Sequence, residues 1–302
     1  MIDDIGPAPD DQPDGSDVLN GAVTDFADRL KGLGPKPIST GIKAIDRAIL
    51  GFRGAKTYVI GARPGMGKTA ISTSFRRSVV SGGHVVVEFN LEMGRGEIGE
   101  RELAFQSGVN LRKIMAAQEV TEEEGLRIKA AYGAIRPGRW WVYDDVFTLA
   151  GIIAASKAAY ARANREGKKV GLVIIDYIGL ISDVKDNRQE SISQCSRSFK
   201  MLSKHMDCAV IVLTQLNRGC EYRDDKRPLS ADLRESGSIE QDADAIIMVY
   251  RDHQYNPMAN PEEAELIIRK QRSGPCGTVR TGWKGRTCTF YDLPAVINTA
   301  RV

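Results

Sequence analysis

Short apolar runs alternate with amphipathic segments along most of the chain. The runs have the length of buried strands and fall at 57–61, 85–90, 140–143, 171–176, 209–213 and 245–249. Between them, apolar residues recur at helical spacing, most clearly over 188–206. Apolar strands that alternate with helices are typical of a mostly parallel sheet with helices on both faces. The pattern therefore predicts an α/β fold.

Local signals refine this picture near the C-terminus and in the middle of the chain. Residues 264–291 read as short strands joined by Gly-rich turns, which predicts antiparallel strands at the end of the sheet. Thr121 and Glu124 have the spacing of a capping box, so a helix is expected to begin there.

Two segments precede the alternating pattern. Residues 1–16 are rich in Asp, Pro and Gly and contain little to bury, which predicts disorder. Residues 17–31 predict an amphipathic helix, capped by Ser16 or Asp17. Its apolar stripe packs either on the chain's own body or on a neighbouring subunit, and the pattern leaves both open. The expected organisation is an acidic tail (1–16), a linker helix and linker (17–35) and one large domain (36–302).

Composition places the chain among soluble globular proteins. Its 302 residues are 42% hydrophobic and 27% charged, unlike a disordered, collagen-like or rod-like chain. No apolar stretch approaches the roughly 20 residues of a membrane helix, and the acidic start resembles neither a secretory signal nor a transit peptide. Five cysteines without a C-x-x-C pair indicate reduced thiols in a cytoplasm.

The net charge of +3 is unevenly distributed. The first 28 residues hold eight Asp and no Lys, Arg or Glu, so they carry −8 and the remainder carries +11. A basic body is compatible with a nucleic-acid partner, although moderate positive charge is also common on protein surfaces.

The segment GARPGMGKTA, residues 61–70, predicts a phosphate-binding loop. It follows an apolar strand and precedes a helical pattern that starts at Thr69, as such a loop requires. Gly65 and Gly67 let backbone amides approach phosphate oxygens. Lys68 can reach the β- and γ-phosphates of ATP, and the Thr69 hydroxyl can hold Mg²⁺. The alternative is a Gly-rich turn that happens to precede Lys-Thr. The residues expected around the nucleotide are Arg63, Pro64, Gly65, Met66, Gly67, Lys68, Thr69 and Ala70.

Polar side chains end three of the predicted strands. Asp176 would present a carboxylate at the carboxyl edge of the sheet, where it can bind Mg²⁺. Glu92 ends the strand of VVVEFNLEM and could polarise an attacking water. A helix-start Glu is the alternative, and Glu88 is a rival base inside the strand. Gln215 could sense the γ-phosphate, or it is a buried amide satisfied by the backbone.

Two basic segments follow. The polar loop 217–238 is unusually long for a compact domain and suits contact with a nucleic-acid backbone, although a solvated charged loop is the alternative. Its basic residues are Arg218, Arg223, Lys226, Arg227 and Arg234. Lys270 and Arg272 would share one face of an extended segment and could serve a partner subunit's phosphoryl transfer. An ordinary basic turn is the alternative that the sequence alone favours.

Together these motifs resemble the C-terminal motor domain of DnaB-type replicative helicases, a RecA-like hexameric P-loop ATPase. The resemblance runs from ISTGIKAIDRAILGF (38–52) to about Asp292. NLEM, VIIDY, TQL and KQRSGP recur in order, and this family has Ala at the position of Ala62, where the general loop motif has Gly. DLRESGSIEQDAD (232–244) is the most diagnostic segment, because no general ATPase rule demands it.

The resemblance implies a role for each motif at the nucleotide. Lys68 and Thr69 would bind ATP and Mg²⁺, and Asp176 would serve the metal. Glu92 would activate water, and Gln215 would couple the γ-phosphate to the DNA loops.

It also implies roles that need more than one subunit. Lys270 and Arg272 would act on the neighbour's nucleotide, and the helix at 17–31 would dock on the next subunit. The LRESGS loop would touch single-stranded DNA in a central channel. Its expected DNA-binding residues are Arg234, Glu235, Ser236, Gly237 and Ser238.

The function that the resemblance implies is an ATP-dependent replicative helicase that translocates 5′ to 3′ on single-stranded DNA as a homo-hexamer. A RecA-like recombinase and a regulator that joins a host helicase ring are the alternatives. A helicase loader or primase is the further partner class, in the cytoplasm of a prokaryotic or phage-infected cell. Family members usually carry an N-terminal collar domain, and about 35 residues are too few to form it. We therefore expect a stand-alone phage or plasmid motor, or a fragment of a larger protein.

Overall fold

The computed structural model describes residues 14–34, 36–135, 138–182, 188–233 and 237–294. The chain divides into two units, one up to Pro37 and one from Ile38. Most of the tail predicted to be disordered lies outside the described residues.

The first unit contains one helix, α1 (Gly15–Leu30). The Asp14 carboxylate accepts a hydrogen bond from the Asp17 amide, and the Asp17 carboxylate accepts one from the Asp14 amide. The helix therefore begins two residues before the predicted start, because Asp14 satisfies the first-turn amides instead of Ser16 or Asp17. More than half of each large apolar side chain of α1 is exposed, namely Val18, Leu19, Val23, Phe26 and Leu30.

Within the described residues, the second unit is built on a nine-stranded sheet. The strands are β1 (Lys56–Ala62), β2 (Val85–Asn90), β3 (Trp140–Tyr143), β4 (Val170–Asp176), β5 (Ala209–Gln215), β6 (Ala245–Tyr250), β7 (Glu263–Gln271), β8 (Gly277–Lys284) and β9 (Thr289–Tyr291). Their order is β3-β2-β4-β5-β1-β6-β7-β8-β9. The first six in this order are parallel, and β7, β8 and β9 are antiparallel. All six predicted apolar strands and the predicted antiparallel end are confirmed.

The helices of this unit lie between the strands as predicted. They are α2 (Lys43–Ile49), α3 (Lys68–Ser81), α4 (Arg95–Ser107), α5 (Leu111–Ala116), α6 (Glu122–Ala134), α7 (Leu149–Arg165), α8 (Arg188–His205) and α9 (Gly237–Asp242). The predicted capping box at the start of α6 is present, since Thr121 and Glu124 exchange hydrogen bonds at 3.0 and 3.2 Å.

Successive side chains of each central strand enter different hydrophobic cores. Val59 of β1 packs in a core that contains Phe199 of α8. Its neighbour Ile60 packs in the core on the opposite face, with Phe75 of α3. Because both faces are covered, the strand interiors are mostly apolar rather than alternating with polar positions. The predicted sheet with helices on both faces is confirmed.

The described residues also bear on the expectations about membrane helices and cysteines. No helix in the described ranges has the length and apolar character needed to cross a membrane. Cys208, Cys220, Cys276 and Cys288 form no disulfide.

Candidate nucleotide-binding site

The carboxyl ends of the central parallel strands bring the predicted site residues together. The loop after β1 lies between the ends of its neighbours, since Ala62 is paired with Gln215 of β5. One strand further along, Asp176 of β4 is paired with Asn90 of β2. Loops that follow adjacent parallel strands meet at one edge of the sheet, where α/β proteins bind ligands.

The Gly-rich loop has the backbone conformation of an anion cradle. Gly65 and Gly67 have φ values of +77° and +102°, in the left-handed region that glycine adopts without strain. Helix α3 starts directly after the loop, and no side chain caps its N-terminus. Its first amides are therefore available to a phosphate.

Lys68 lies at the centre of the site and contacts two carboxylates. Its Nζ donates to Asp176 Oδ1 and, at 3.2 Å, to Glu92 Oε2. It also lies 4.4 Å from the centre of the Tyr177 ring. Thr69 Oγ1 donates to Asp176 Oδ2 at 2.9 Å. The structure thus joins four residues that the sequence predicted to act together.

The two carboxylates differ in environment. Asp176 is fully buried, and burial raises its pKa, while the interactions with Lys68 and Thr69 oppose that rise. The Glu92 side chain is half exposed. A buried carboxylate beside a hydroxyl suits a cation, whereas an exposed one can reach a water molecule.

The donor set fits Mg²⁺ held jointly with phosphates. Among the described residues, no group of three or more His, Cys, Asp and Glu could hold a metal ion alone. Mg²⁺ is usually bound through one or two carboxylates and the substrate's phosphates. Asp176 and Thr69, adjacent to the loop, provide that partial set.

A cavity of about 520 Å³ opens beside these residues, within the size range of small-molecule sites. Seven of the eight residues predicted to surround the nucleotide line it, together with Glu92 and Gln215. Met66 is the exception, because its side chain is buried in the core behind the loop. Met66 therefore presents only its backbone to the loop, and its predicted place beside the nucleotide stays a prediction.

Arg63 lines the cavity but its guanidinium is engaged elsewhere. Its Nε donates to Glu221 and its Nη1 to the Leu216 carbonyl, each at 2.7 Å. Arg63 therefore ties the phosphate loop to the segment after β5.

The structure separates Glu92 from its rival Glu88. Glu88 is buried within β2 and accepts hydrogen bonds from Arg76 at 2.9 Å and Trp140 at 2.8 Å. The prediction that Glu92 ends the strand is wrong. Strand β2 ends at Asn90, two residues before Glu92. Glu92 also precedes α4, which begins at Arg95, so it is not a helix-start residue.

Gln215 is the last residue of β5 and lines the cavity. Within the described part of the chain its side-chain amide makes no hydrogen bond. The alternative of an amide satisfied by the backbone is therefore not supported.

Lys270 and Arg272 lie at the opposite edge of the sheet from the cavity. Lys270 Nζ donates to the Glu240 and Gln241 carbonyls, and Arg272 Nη2 donates to the Gln241 carbonyl at 2.8 Å. These carbonyls end α9, just before β6 starts. Burial and the neighbouring Arg272 lower the pKa of Lys270. The structure does not bring these cations to this chain's own site.

Three of the basic side chains of the predicted loop have partners within the chain. Arg223 binds Asp232 at 2.5 and 2.9 Å, and Arg227 binds Glu265 at 2.7 Å. The Lys226 Nζ donates to the Glu221 carbonyl at 2.9 Å. These three side chains are held by internal partners, and their contact with a nucleic acid stays a prediction.

The predicted DNA-binding residues are only partly described. Arg234, Glu235 and Ser236 lie outside the described residues. Gly237 and Ser238 begin α9 instead of continuing the loop, and the Ser193 hydroxyl donates to the Ser238 hydroxyl at 2.8 Å.

Five residues that line the cavity were not found from the sequence, namely Met93, Glu97, Arg101, Trp283 and Cys288. Glu97 and Arg101 form an ion pair at 2.7 Å across one helical turn of α4, and their i, i+4 spacing was a signal. Trp283 and Cys288 come from the antiparallel end of the sheet, and no local motif marks them.

A strand, a Gly-rich loop and an uncapped helix that begins with Lys68 and Thr69, beside Asp176 at the end of β4, define a P-loop nucleotide-binding domain. The chain belongs to the family described as "DnaB-like helicase C terminal domain", whose sequence model matches residues 37–292.

Curated relatives support this family membership. The replicative DNA helicase DnaB of Pasteurella multocida is 38% identical over 260 residues, which cover 85% of this chain and 55% of that protein. The replicative DNA helicase DnaC of Bacillus subtilis is 36% identical over 270 residues, covering 88% and 58%. The chain thus spans a little over half the length of these relatives.

Solved structures confirm the RecA-like ATPase fold. One of them, described as an ATPase domain, superposes with a TM-score of 0.83 at 33% identity, covering 93% of this chain and all of that one. A DnaB-like replicative helicase, described with its interactions with primase, gives the same TM-score and identity and covers 94% and 68%.

Proposed function

We propose that this chain is the motor domain of a replicative DNA helicase that hydrolyses ATP and translocates on single-stranded DNA as a ring of six. The observation that carries the proposal is the division of the catalytic groups. Lys68, Thr69 and Glu92 line one cavity, and buried Asp176 contacts the first two of them. Lys270 and Arg272 lie at the opposite edge of the sheet. This division supports a site that two subunits would complete together.

Within one subunit, the loop and Lys68 would bind the phosphates. The amides at the start of α3 and the Lys68 ammonium are positive and face the cavity. Lys68 would exchange part of its contact with Asp176 and Glu92 for the phosphate oxygens. Thr69 and Asp176 would hold Mg²⁺, which would neutralise part of the negative charge of the phosphates.

Glu92 would act as the base. Its half-exposed carboxylate can accept a hydrogen bond from a water that attacks the γ-phosphate. Gln215 would sense the γ-phosphate, because its amide lines the cavity and has no partner in the described chain. The next segment, tied to the loop through Arg63, would carry that state toward residues 234–238.

Lys270 and Arg272 would stabilise the transferring phosphoryl group of the neighbouring subunit. Both donate to carbonyls at the end of α9, which holds them together at one surface. A cation supplied across a subunit boundary is a recurring device in phosphoryl transfer.

The ring would be joined through α1 and would enclose DNA. The exposed apolar stripe of α1 requires a partner to be buried, and docking on the next subunit would provide one. Arg234, Glu235, Ser236, Gly237 and Ser238 would line the channel and contact DNA phosphates with little base readout. A helicase loader or primase is the further partner class, and the cytoplasm is the compartment we propose.

The deciding experiment is the ATPase rate with and without single-stranded DNA, on protein whose mass is measured by light scattering with ATP and Mg²⁺. A mass near six subunits with DNA-stimulated hydrolysis is expected. Open filaments of no fixed mass would indicate a recombinase instead. Absence of hydrolysis in protein that joins a purified bacterial helicase ring would indicate a regulator.

A further inference from the structure

Arg251 is a buried cation that none of the predicted motifs includes. It follows β6 at the carboxyl edge of the sheet and is only 8% exposed. No carboxylate in the described ranges lies within ion-pair distance of it. Burial lowers its pKa, yet Arg remains charged at neutral pH. An unpaired buried charge costs folding free energy. Arg251 nevertheless lies next to the phosphate loop, the proposed site for anions.

The guanidinium of Arg251 binds the phosphate loop directly. Its Nη1 donates to the Gly65 carbonyl at 3.0 Å. The Gln254 side-chain oxygen, in the orientation that satisfies its hydrogen bonding, accepts from Nη1 and Nη2 at 3.2 Å. In the described chain its Nε has no partner. Arg251 is thus held between the 3₁₀ turn after β6 and the loop.

The contact fixes one peptide plane of the loop from both sides. The Gly65 carbonyl and the Met66 amide belong to the same planar group and point in opposite directions. While Arg251 holds the carbonyl, the Met66 amide donates to the Arg63 carbonyl at 3.2 Å. This peptide cannot rotate without losing both hydrogen bonds.

Two aromatic rings complete the support behind the loop. The Arg251 guanidinium lies 4.3 Å from the Trp283 ring, and the Trp283 and Phe290 rings are 4.8 Å apart. A Cβ added to Gly67 would lie 3.0 Å from Phe290 and 3.2 Å from Trp283. The antiparallel strands β8 and β9 therefore pack directly against the loop.

We propose that Arg251, Trp283 and Phe290 form a brace that holds the phosphate loop in its binding conformation, with Arg251 as the positioning residue. Arg251 fixes the Gly65 peptide and adds an uncompensated positive charge behind the phosphates. Trp283 and Phe290 hold the backbone at Gly67. This role rests on the proposed function, in which the loop receives the phosphates of ATP.

The test compares Arg251→Gln and Arg251→Lys in the full chain with the control Arg139→Gln. Arg139 also donates to a glycine carbonyl, that of Gly83, but at the other end of the sheet. Two quantities are measured. One is amide hydrogen exchange of residues 63–69 in nucleotide-free protein, and the other is affinity for ADP with Mg²⁺ by calorimetry.

Arg251→Gln is expected to accelerate exchange in the loop and to weaken ADP binding roughly ten- to a hundredfold, the effect of losing a charged hydrogen bond. Arg251→Lys keeps a donor without the planar stack, so an intermediate result is expected. The KM for ATP should rise more than kcat falls. Arg139→Gln should leave loop exchange and ADP affinity unchanged.

The inference is overturned if Arg251→Gln shows wild-type loop exchange, or if its exchange increases equally throughout the sheet. A wild-type protein that does not bind ADP would instead contradict the proposed function. The exchange comparison would still decide whether Arg251 braces the loop.

Discussion

At the scale of single residues, the contacts of Lys68 organise the site. One ammonium bridges a buried carboxylate, Asp176, and a half-exposed one, Glu92. Both acids lie beside the same cation, but Asp176 is buried and Glu92 is half exposed. These different surroundings suit them to different proposed roles. The proposed metal ligand is the buried acid, and the proposed base is the one that water can reach.

Lys68→Ala is expected to abolish ATP hydrolysis, because no other ammonium of the described residues lines the cavity. The measurement is phosphate release by the purified variant at saturating ATP. Lys169→Ala is the matched control, since Lys169 pairs with Asp207 at the surface and should keep wild-type turnover. Retained hydrolysis by Lys68→Ala would refute the assignment of the site.

Glu92→Gln is expected to lower kcat by about 10²- to 10⁴-fold, the usual contribution of a general base. Nucleotide affinity should remain near that of wild type, because the amide keeps the shape of the side chain. Steady-state kinetics and ADP titration check both statements. An unchanged kcat would show that another group activates the water.

At the scale of elements, α3 is anchored to its neighbours by a buried ionic network. Arg76 of α3 binds Glu88 of β2 at 2.9 Å and also binds Glu102 of α4. Its guanidinium lies 3.8 Å from the Trp140 ring of β3. The helix that begins at the phosphate loop is therefore tied to three other elements by one side chain.

Arg76→Ala is expected to destabilise the fold by about 3–5 kcal/mol, because buried Glu88 loses its cation and buried Glu102 keeps only Arg77 at 3.3 Å. Urea unfolding followed by circular dichroism measures the change. Arg162→Ala is the control, since Arg162 also stacks on a tryptophan, Trp141, but is more than half exposed. A much smaller loss is expected there, and equal losses would mean that the burial of the network is unimportant.

At the scale of the whole molecule, the two edges of the sheet carry the two parts of the proposed site. The cavity lies at the carboxyl edge, and Lys270 and Arg272 lie at the other. A head-to-tail arrangement of subunits brings unlike surfaces together and closes into a ring when the rotation allows it. The excess of positive charge after residue 28 and the exposed apolar stripe of α1 are also properties of the whole chain.

Arg272→Ala alone is expected to lose most hydrolysis, as is Lys68→Ala alone. Mixing the two variants should restore part of the activity, because some interfaces then combine an intact loop with an intact Arg272. The ATPase rate against mixing ratio tests this arrangement. A rate that stays at the level of the separate variants would exclude action across subunits.

Much of the fold and part of the site could be predicted locally. The six parallel strands, the antiparallel end and the loop at 61–70 each depend on contiguous residues, whose periodicity and glycine positions are visible in the sequence. The start of α1 was misplaced because three acceptors, Asp14, Ser16 and Asp17, lie close together. The choice between them depends on backbone geometry.

The sequence by itself determined the order of the elements, the phosphate loop and the acid at the end of β4, since these follow from short-range pattern. Only the tertiary structure decided that Glu88 binds Arg76 while Glu92 reaches Lys68. It also decided that Arg227 is neutralised by Glu265, and that Arg251 supports Gly65. These contacts join residues far apart in the chain, so they depend on sheet order and register rather than on local spacing.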